Sequence, residues 1–352
     1  MHDLAVVGAG PVGSYLASLC AGRMDTIVLE EHDGAGGKAC SGLVSPRFIE
    51  MIPKKVKGAV IDHEVKGAKI TFMGTTLEFR KNDTAAYVVN RGLMDRMLAE
   101  HASDCGADVR FGEKVMRADQ TQEKVRLWTP KHDFESSFAA GCDGAGSAVS
   151  RMIGGNAPEV LNGLIIHQKK DDFSDTVEMW FDKSLVKDGF FWKIPRGSTT
   201  EYGCIGYRLS FPILEKFFSL EHSDASERSA APVPIGIKKT HENRAILVGD
   251  AASQTKPWSG GGLAYGFLAA KEASEIIANA VRNGDASKLS LYEAAWKRIM
   301  LKDISAGLML REIYRDLDLS AITSFMDRAE SLKKESERID FDFPFSSALG
   351  RL

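Results

Sequence analysis

Three glycines and one carboxylate near the start of the chain have the types and spacing to bind a phosphate ligand. Gly8, Gly10 and Gly13 form G-x-G-x-x-G between an apolar run and a run of small residues. This pattern predicts a strand, a tight turn and a helix whose free N–H groups bind the pyrophosphate of a dinucleotide. Glu30 ends the next β-rich run, at the spacing expected for a carboxylate on the ribose hydroxyls, whereas its neighbour Glu31 is expected to be a solvated charge.

Two further glycine-rich turns follow β-rich runs much later in the chain. One contains Asp143, and the other begins with Gly249 and Asp250. Because ligands lie across the carboxyl ends of parallel strands, we expect all three turns to meet at one extended cofactor. The third turn continues to three consecutive glycines, which either bring a helix start close to the cofactor or serve packing alone: Gly260, Gly261 and Gly262.

A glycine-rich loop follows Glu30 where a helix would be usual, and it contains Lys38, Ala39 and Cys40. Loops of this kind on a rigid scaffold often hold functional groups. The chain has five cysteines without a C-x-x-C pair. We therefore expect neither a disulfide framework nor a metal site, and most of the cysteines should be buried apolar residues.

Ten aromatic residues crowd into the segment from Trp180 to Phe218. This segment also alternates in the manner of β-strands. Its aromatic residues are either the core face of a sheet or the wall of a large apolar substrate cavity, and the sequence favours neither.

Composition places the chain among ordinary globular proteins. It has 352 residues, a formal net charge of -3 and 44% hydrophobic residues, enough for two associated domains. No dense basic run predicts a nucleic-acid partner. No apolar stretch approaches the roughly 18 residues of a membrane-spanning helix. The first strand starts too early for a signal peptide, so we expect a cytoplasmic protein.

Strands and helices alternate along the chain and carry these residues. The pattern predicts a hairpin at 68–79, a helix at 92–105, a long helix at about 263–282 and a helical segment from 290 to about 337.

These motifs resemble the flavoproteins of p-hydroxybenzoate-hydroxylase type, and within them the geranylgeranyl reductases. The stretch 38–42 is similar to the cysteine loop of the reductases, and 257–262 to their flavin turn P-x-x-G-G-G. The stretch 190–195 is similar to their aromatic motif Y-x-W-x-F-P, with Phe190 in place of Tyr and Ile194 in place of Phe.

The resemblance implies FAD as cofactor and an α/β fold. That fold is a Rossmann-like FAD-binding domain with an inserted antiparallel β-sheet substrate-binding domain and a C-terminal helical region. The expected bounds are 1–62, 84–155 and 232–289 for the FAD-binding domain, 63–83 and 156–231 for the substrate-binding domain, and 290–352 for the helical region.

The resemblance also implies roles for the residues. Arg91, Lys38 and Ala39 join the three turns and Glu30 as FAD contacts. The expected substrate contacts are Phe190, Trp192, Pro257 and Trp258.

The implied reaction reduces isolated carbon–carbon double bonds of a polyprenyl lipid, with hydride from N5 of reduced flavin and a proton to the other carbon. Cys40 is the expected catalytic residue, since its thiol has an exchangeable proton. An ordinary thiol is nevertheless a poor acid toward an alkene, so a gating role and a place in the cavity wall stay open. The electron donor is NAD(P)H or a reduced ferredoxin, and a lipid substrate implies peripheral contact with a membrane.

Two other functions fit parts of the sequence. The stretch 189–195 differs at Phe190 from the halogenase pattern G-W-x-W-x-I-P, so a flavin monooxygenase or halogenase acting on a hydrophobic or aromatic substrate is the alternative enzyme. A lipid carrier that kept a flavin fold is the non-enzymatic alternative.

Overall fold

In the computed structural model the chain forms two compact units. The described residues are 1–72, 74–154, 156–220, 227–316 and 340–349. Unit 1 comprises Met1–Gly37, Gly92–Glu159 and Pro234–Ser305, and unit 2 comprises Lys38–Arg91, Val160–Val233 and Ala306–Leu352.

The strands, in chain order, are β1 (His2–Val7), β2 (Thr26–Leu29), β3 (Leu43–Val44), β4 (Ile61–Val65), β5 (Gly67–Phe72), β6 (Thr75–Arg80), β7 (Ala86–Val89), β8 (Asp108–Arg110), β9 (Arg117–Gln120), β10 (Val125–Trp128), β11 (Asp133–Gly141), β12 (Glu159–Gln168), β13 (Thr176–Phe181), β14 (Phe190–Pro195), β15 (Thr200–Gly206), β16 (Glu227–Ile235), β17 (His241–Glu242) and β18 (Ala245–Leu247).

The α-helices are α1 (Pro11–Cys20), α2 (Pro46–Met51), α3 (Lys54–Val60), α4 (Arg91–Asp104), α5 (Ala148–Met152), α6 (Phe211–Phe218), α7 (Leu263–Asn283), α8 (Leu291–Asp316) and α9 (Pro344–Leu349). Two short 3₁₀ helices cover Gly249–Ala252 and Ala286–Ser290.

Unit 1 is built on a sheet in the order β17-β18-β11-β1-β2-β8, which β10 and β9 extend from β11. The five strands β18, β11, β1, β2 and β8 run parallel to one another, whereas β17 pairs antiparallel with β18 and β10 pairs antiparallel with β11. Strands β18 and β2 are buried over their whole length, and β1 and β11 are buried at their carboxyl ends, as expected for the centre of a parallel sheet covered on both faces. The predicted α/β, Rossmann-like fold is confirmed.

Helices α1 and α7 pack closely because small residues line their contact. A Cβ added at Gly266 of α7 would lie 2.5 Å from a methyl group of Val12 in α1. Farther along the two helices, Tyr15 stacks on Phe267 with ring centroids 4.1 Å apart. This contact fixes the two helix N-termini that follow the first and third glycine turns.

Unit 2 contains a seven-stranded sheet in the order β16-β12-β15-β14-β13-β5-β6. Its pairs are antiparallel from β12 through β13, and β13 is parallel to β5. The predicted hairpin is confirmed, because β5 pairs antiparallel with β6. A separate three-stranded sheet has the order β3-β7-β4.

The compact units differ from the domain bounds expected from the sequence. Unit 2 includes 38–62 and 84–91, which the sequence assigns to the FAD-binding domain. The reason is packing: Ala86 and Val88 of β7 share a buried cluster with Val177 and Ile194 of the large sheet. The functional domain bounds stay a prediction.

The C-terminal region begins as predicted with a long helix, α8. Trp296, Met300 and Ile304, which recur every four residues, are fully or almost fully buried. The rest of the predicted helical segment, 317–339, lies outside the described residues. Among the described helices, none combines the length and apolar character needed to cross a membrane.

Candidate cofactor and substrate sites

The three glycine turns lie side by side at one edge of the unit 1 sheet. Val7 at the end of β1 is in register with Gly141 at the end of β11, and Gly141 with Leu247 at the end of β18. Since these strands are parallel and adjacent, their carboxyl ends form a continuous edge from which all three turns emerge. The three turns thus share one sheet edge, and their meeting at one cofactor stays a prediction.

The glycines of the first turn have different physical roles. Gly8 has a φ of 99°, and a Cβ there would lie 2.6 Å from the Cys142 carbonyl oxygen. A Cβ on Gly13 would lie 2.0 Å from the carbonyl oxygen of Gly8, so a side chain would push helix α1 off the strand. A Cβ on Gly10 would meet no described atom within 4 Å. Gly10 therefore borders open space, as the approach of a phosphate requires.

Helix α1 starts at this open space without help from its own side chains. Gly10 is the N-cap, and among the described residues no side chain caps the helix. The first-turn N–H groups of such a helix favour an anionic ligand. An uncapped N-terminus beside an open glycine fits a pyrophosphate.

Glu30 lies next to the first turn and is almost fully buried. Its Oε2 accepts a hydrogen bond from the Ala9 N–H at 2.7 Å, and its Oε1 accepts one from the His32 N–H at 3.0 Å. Glu31 instead pairs with Lys114 at the surface. This agrees with the expected difference between the two carboxylates, and Glu30 is the one that contacts the turn.

The second turn holds a carboxylate with spare hydrogen-bonding capacity. Asp143 Oδ2 accepts from the Ala148 N–H at 2.7 Å, and Ser147 caps the short helix α5. Asp143 Oδ1 is shielded from solvent and has no hydrogen-bond partner among the described residues. Burial raises the pKa of Asp143, so a ligand hydroxyl that donates to Oδ1 would stabilise its ionised form.

The third turn is shaped around Asp250. Gly249 has a φ of 71°, and a Cβ on Gly262 would lie 2.8 Å from Asp250 Oδ1, so only glycine leaves this carboxylate in place. The hydroxyl of Ser253 is buried and has no hydrogen-bond partner in the described part of the chain. Like Asp143 Oδ1, it is a polar group that a ligand would satisfy.

The segment before α7 closes on itself. The Lys256 N–H donates to the Gly261 carbonyl at 2.9 Å, and the Gly260 N–H donates to the Lys256 carbonyl at 2.8 Å. Pro257 is buried and Trp258 half-buried within this closed loop. Gly262 then caps α7, and no described side chain caps that helix either.

A buried glutamine fixes the third turn and could not be predicted. Gln254 Oε1 accepts from the Gly249 N–H at 2.8 Å, and Gln254 Nε2 donates to the Tyr292 hydroxyl at 3.0 Å. Nothing in the sequence marks this glutamine, because its second partner lies far along the chain, in α8.

Unit 2 holds the cysteine loop. Cys40 is a half-buried free thiol, Ala39 is half-buried, and Lys38 is exposed. The loop ends at Gly42, whose φ is 66° and whose Cβ would lie 2.4 Å from the Val89 carbonyl oxygen. Glycine is therefore required where the loop joins strand β7. Arg91, which is buried, follows that strand at the start of α4.

The aromatic residues divide between the two faces of the seven-stranded sheet. On one face Phe191 stacks on Phe217 of α6 with centroids 3.9 Å apart, and Trp180 packs edge-on against Phe218 at 5.3 Å. The cluster around these contacts includes buried Leu164, Ile166, Cys204 and Leu214, and this face is core.

The opposite face carries the predicted substrate residues. Phe190 contacts Phe181 with centroids 5.2 Å apart and Trp192 at 5.8 Å, and Trp192 is in register with Met179. Phe190 is buried, whereas the other three side chains of this row are half-buried. Strand alternation thus sends one set of aromatic residues into the core and leaves the other as a partly exposed apolar row. The core interpretation is confirmed for the first set, and the wall of a substrate cavity stays a prediction for the second.

The structure groups the predicted site residues within each unit. Those of unit 1 are Gly8, Gly10, Gly13, Glu30, Asp143, Gly249, Asp250, Pro257, Trp258, Gly260, Gly261 and Gly262. Those of unit 2 are Lys38, Ala39, Cys40, Arg91, Phe190 and Trp192.

Comparison with known proteins agrees with this geometry. The profile of the family described as "FAD binding domain" matches residues 1–201. Digeranylgeranylglycerophospholipid reductase of Methanothrix thermoacetophila is 29% identical over 360 residues, which cover 94% of this chain and 91% of that protein.

Solved structures share the fold. A geranylgeranyl bacteriochlorophyll reductase-like protein from Thermoplasma acidophilum superposes with a TM-score of 0.84 at 20% identity, covering 99% of this chain and 95% of that one. A halogenase in complex with FAD superposes with a TM-score of 0.72 at 13% identity, covering 89% of this chain and 76% of the halogenase.

Proposed function

The chain belongs to the FAD-binding domain family, and from this premise we propose that it is an FAD-dependent reductase that saturates isolated carbon–carbon double bonds of a polyprenyl lipid. One observation carries the proposal. The chain carries three glycine turns on one sheet edge. Over nearly its whole length it matches a relative named digeranylgeranylglycerophospholipid reductase.

FAD fits the residues of unit 1. The first turn and the N-terminus of α1 would hold the pyrophosphate, with Gly10 as the closest backbone approach. Glu30 would bind the ribose, and Asp143 and Asp250 would accept hydrogen bonds from hydroxyl groups of the cofactor. The orphan acceptor at Asp143 Oδ1 supports this assignment.

The glycines before α7 would lie against the flavin ring. Gly260, Gly261 and Gly262 present backbone without side chains, and the uncapped start of α7 favours negative charge there. We retain Lys38, Ala39 and Arg91 of unit 2 as proposed FAD contacts, on the basis of their motifs.

The reaction needs a hydride for one alkene carbon and a proton for the other, and reduced FAD supplies the hydride when bound. The chain must hold the alkene flat and exclude water. We assign the substrate wall to Phe190 and Trp192, with Pro257 and Trp258 as further contacts. The half-buried apolar row to which Trp192 belongs supports this role.

Cys40 is the proposed catalytic residue. It is a half-buried free thiol in a loop whose end is tied to β7, so its proton can be held at a defined place. The proposed electron donor is NAD(P)H or a reduced ferredoxin. Both are compatible with an enzyme that meets its lipid at a membrane surface.

The alternative is a monooxygenase or halogenase. The halogenase shares the fold of this chain at 13% sequence identity. The digeranylgeranyl lipid reductase is 29% identical in sequence. The reductase therefore has the stronger support.

Product analysis tests the proposal. Chemically reduced, FAD-loaded protein is incubated without oxygen with a geranylgeranylated glycerolipid, and the lipid is examined by mass spectrometry. We expect the lipid to gain hydrogen two atoms at a time. An unchanged lipid would contradict the proposal, and an oxygenated or halogenated product in a parallel incubation in air would support the alternative.

A further inference from the structure

A fully buried carboxylate lies beside Trp192 on the same face of the unit 2 sheet. Glu201 in β15 has no exposed surface. Its Oε1 accepts a hydrogen bond from Trp192 Nε1 at 2.8 Å. Its Oε2 accepts from Arg196 Nη1 at 3.0 Å and lies 3.0 Å from His167 Nε2. The carboxylate is therefore held from three sides.

Arg196 connects this carboxylate to the cysteine loop. Its Nη1 also donates to the Ser41 carbonyl at 2.6 Å, and its Nη2 donates to the Val89 carbonyl at 3.0 Å. The Val89 N–H in turn donates to the Gly42 carbonyl at 3.0 Å. One guanidinium thus holds the backbone directly after Cys40 and the strand to which the loop returns.

The resulting chain of contacts is continuous. It runs from the backbone at Ser41 through Arg196 and Glu201 to the indole of Trp192. The indole ring also lies directly over Gly203, where a Cβ would come within 2.1 Å of the ring. Trp192 therefore has a hydrogen bond on its edge and a backbone against its face, which fixes its orientation.

We propose that Arg196 and Glu201 are positioning residues that hold the Cys40 loop in a fixed place relative to Trp192. The inference rests on the proposed function, in which Cys40 carries the exchangeable proton and Trp192 contacts the lipid. Arg196 and Glu201 act through these two residues.

The chemistry of the network favours positioning over simple stabilisation. A buried ion pair contributes little stability compared with apolar side chains of equal volume, because both charges are desolvated. A guanidinium, however, offers several donors in a rigid plane and can hold two carbonyls and a carboxylate at once. Lysine offers the same charge without that planar fork.

Arg196→Lys distinguishes positioning by the planar guanidinium from stabilisation by a positive charge. In the FAD-loaded protein we would measure the iodoacetamide alkylation rate of Cys40 by mass spectrometry of its peptide, with Cys105 as internal reference. Lysine lacks the planar set of donors of a guanidinium, so Arg196→Lys should raise the alkylation rate of Cys40 relative to that of Cys105 by about tenfold. This is the factor expected for the loss of one hydrogen bond to a charged group. FAD content should stay at the wild-type value.

Arg80→Lys is the matched control, because Arg80 forms an exposed ion pair with Asp175 in the same unit. It should leave the Cys40 rate unchanged. An Arg196→Lys protein with wild-type Cys40 alkylation would overturn the proposal, since charge alone would then suffice.

Hydrogen exchange of the wild-type holoprotein covers the case in which Arg196→Lys does not fold. Amides of 41–43 should be protected together with those of β14. Exchange of 41–43 at the rate of an unstructured peptide, with β14 protected, would contradict the proposed tether. Neither alkylation nor hydrogen exchange requires turnover. If the loop is tethered but the protein reduces no prenyl lipid, the proposed function is refuted and the proposed tether is not.

Discussion

Gly10 shows at the scale of one residue how the structure distinguishes glycines that a motif treats alike. Gly8 and Gly13 are glycines because backbone atoms occupy the space of a side chain, whereas Gly10 faces space without described atoms. Substitution of Gly13 thus disturbs the fold itself. Substitution of Gly10 affects only what binds there.

Gly10→Val should therefore give a folded protein that does not retain FAD. We expect FAD affinity to fall by more than about tenfold, equivalent to ~1.4 kcal/mol, because the side chain excludes the pyrophosphate. The free energy of unfolding of the apoprotein should change by less than about 1 kcal/mol. Flavin absorbance and denaturant titration measure the two quantities.

Gly22→Val is the matched control, since a Cβ on Gly22 also meets no described atom within 4 Å but lies outside the turn. It should retain FAD. Gly13→Val should lose both FAD and stability, and a fully yellow Gly13→Val protein would show that the cofactor lies elsewhere.

Cys40→Ser tests the proposed catalytic thiol. The exchangeable proton becomes less acidic while the size of the side chain hardly changes, so flavin should stay bound and its reoxidation by lipid should slow. Stopped-flow absorbance of the reduced flavin under nitrogen measures the rate. Cys105→Ser is the control for loss of another half-buried thiol. Unchanged kinetics in Cys40→Ser would place Cys40 in the cavity wall.

Among the elements, the sheet of unit 2 distributes its aromatic residues between two faces by strand alternation. Trp180 and Trp192 are both half-buried, yet they lie on opposite faces, since Trp180 is in register with Phe191 and Trp192 with Met179. One tryptophan packs under α6, and the other belongs to the proposed lipid surface.

The same substitution at these two tryptophans should have different effects. Trp192→Leu should raise the KM for a prenyl lipid by about tenfold, in line with a lost aromatic contact of ~1.5 kcal/mol. Trp180→Leu should lower the free energy of unfolding by about 2 kcal/mol with an unchanged KM. Steady-state reduction assays and urea titrations measure both. Equal KM values in the two variants would contradict the substrate role of this face.

The sequence predicts the parts of the site that depend on neighbours along the chain. The first turn, the Asp143 turn and the Gly249 turn each follow their own strand, so a local pattern reveals them. Arg196 could not be predicted in this way, because its contact with Ser41 joins residues 155 positions apart. The side that each aromatic residue faces also depended on strand register, which the sequence left open.

In the whole molecule, the proposed cofactor site belongs to unit 1 and the proposed substrate surface belongs to unit 2. The first is supported by the edge formed by β18, β11 and β1, together with the family match. The second is supported by the half-buried apolar row and by the relative named as a lipid reductase. The proposed reaction requires both the cofactor site and the substrate surface.

Anaerobic reoxidation of the reduced flavin directly tests the proposed reduction of a prenyl lipid. The FAD-loaded protein is reduced, mixed without oxygen with geranylgeranylated lipids, and followed by flavin absorbance. We expect at least one such lipid to restore the oxidised spectrum and to gain two hydrogen atoms for each flavin reoxidised. Failure of every prenyl lipid to reoxidise the flavin, together with oxygen consumption that depends on an added hydrophobic substrate, would contradict the proposed reduction.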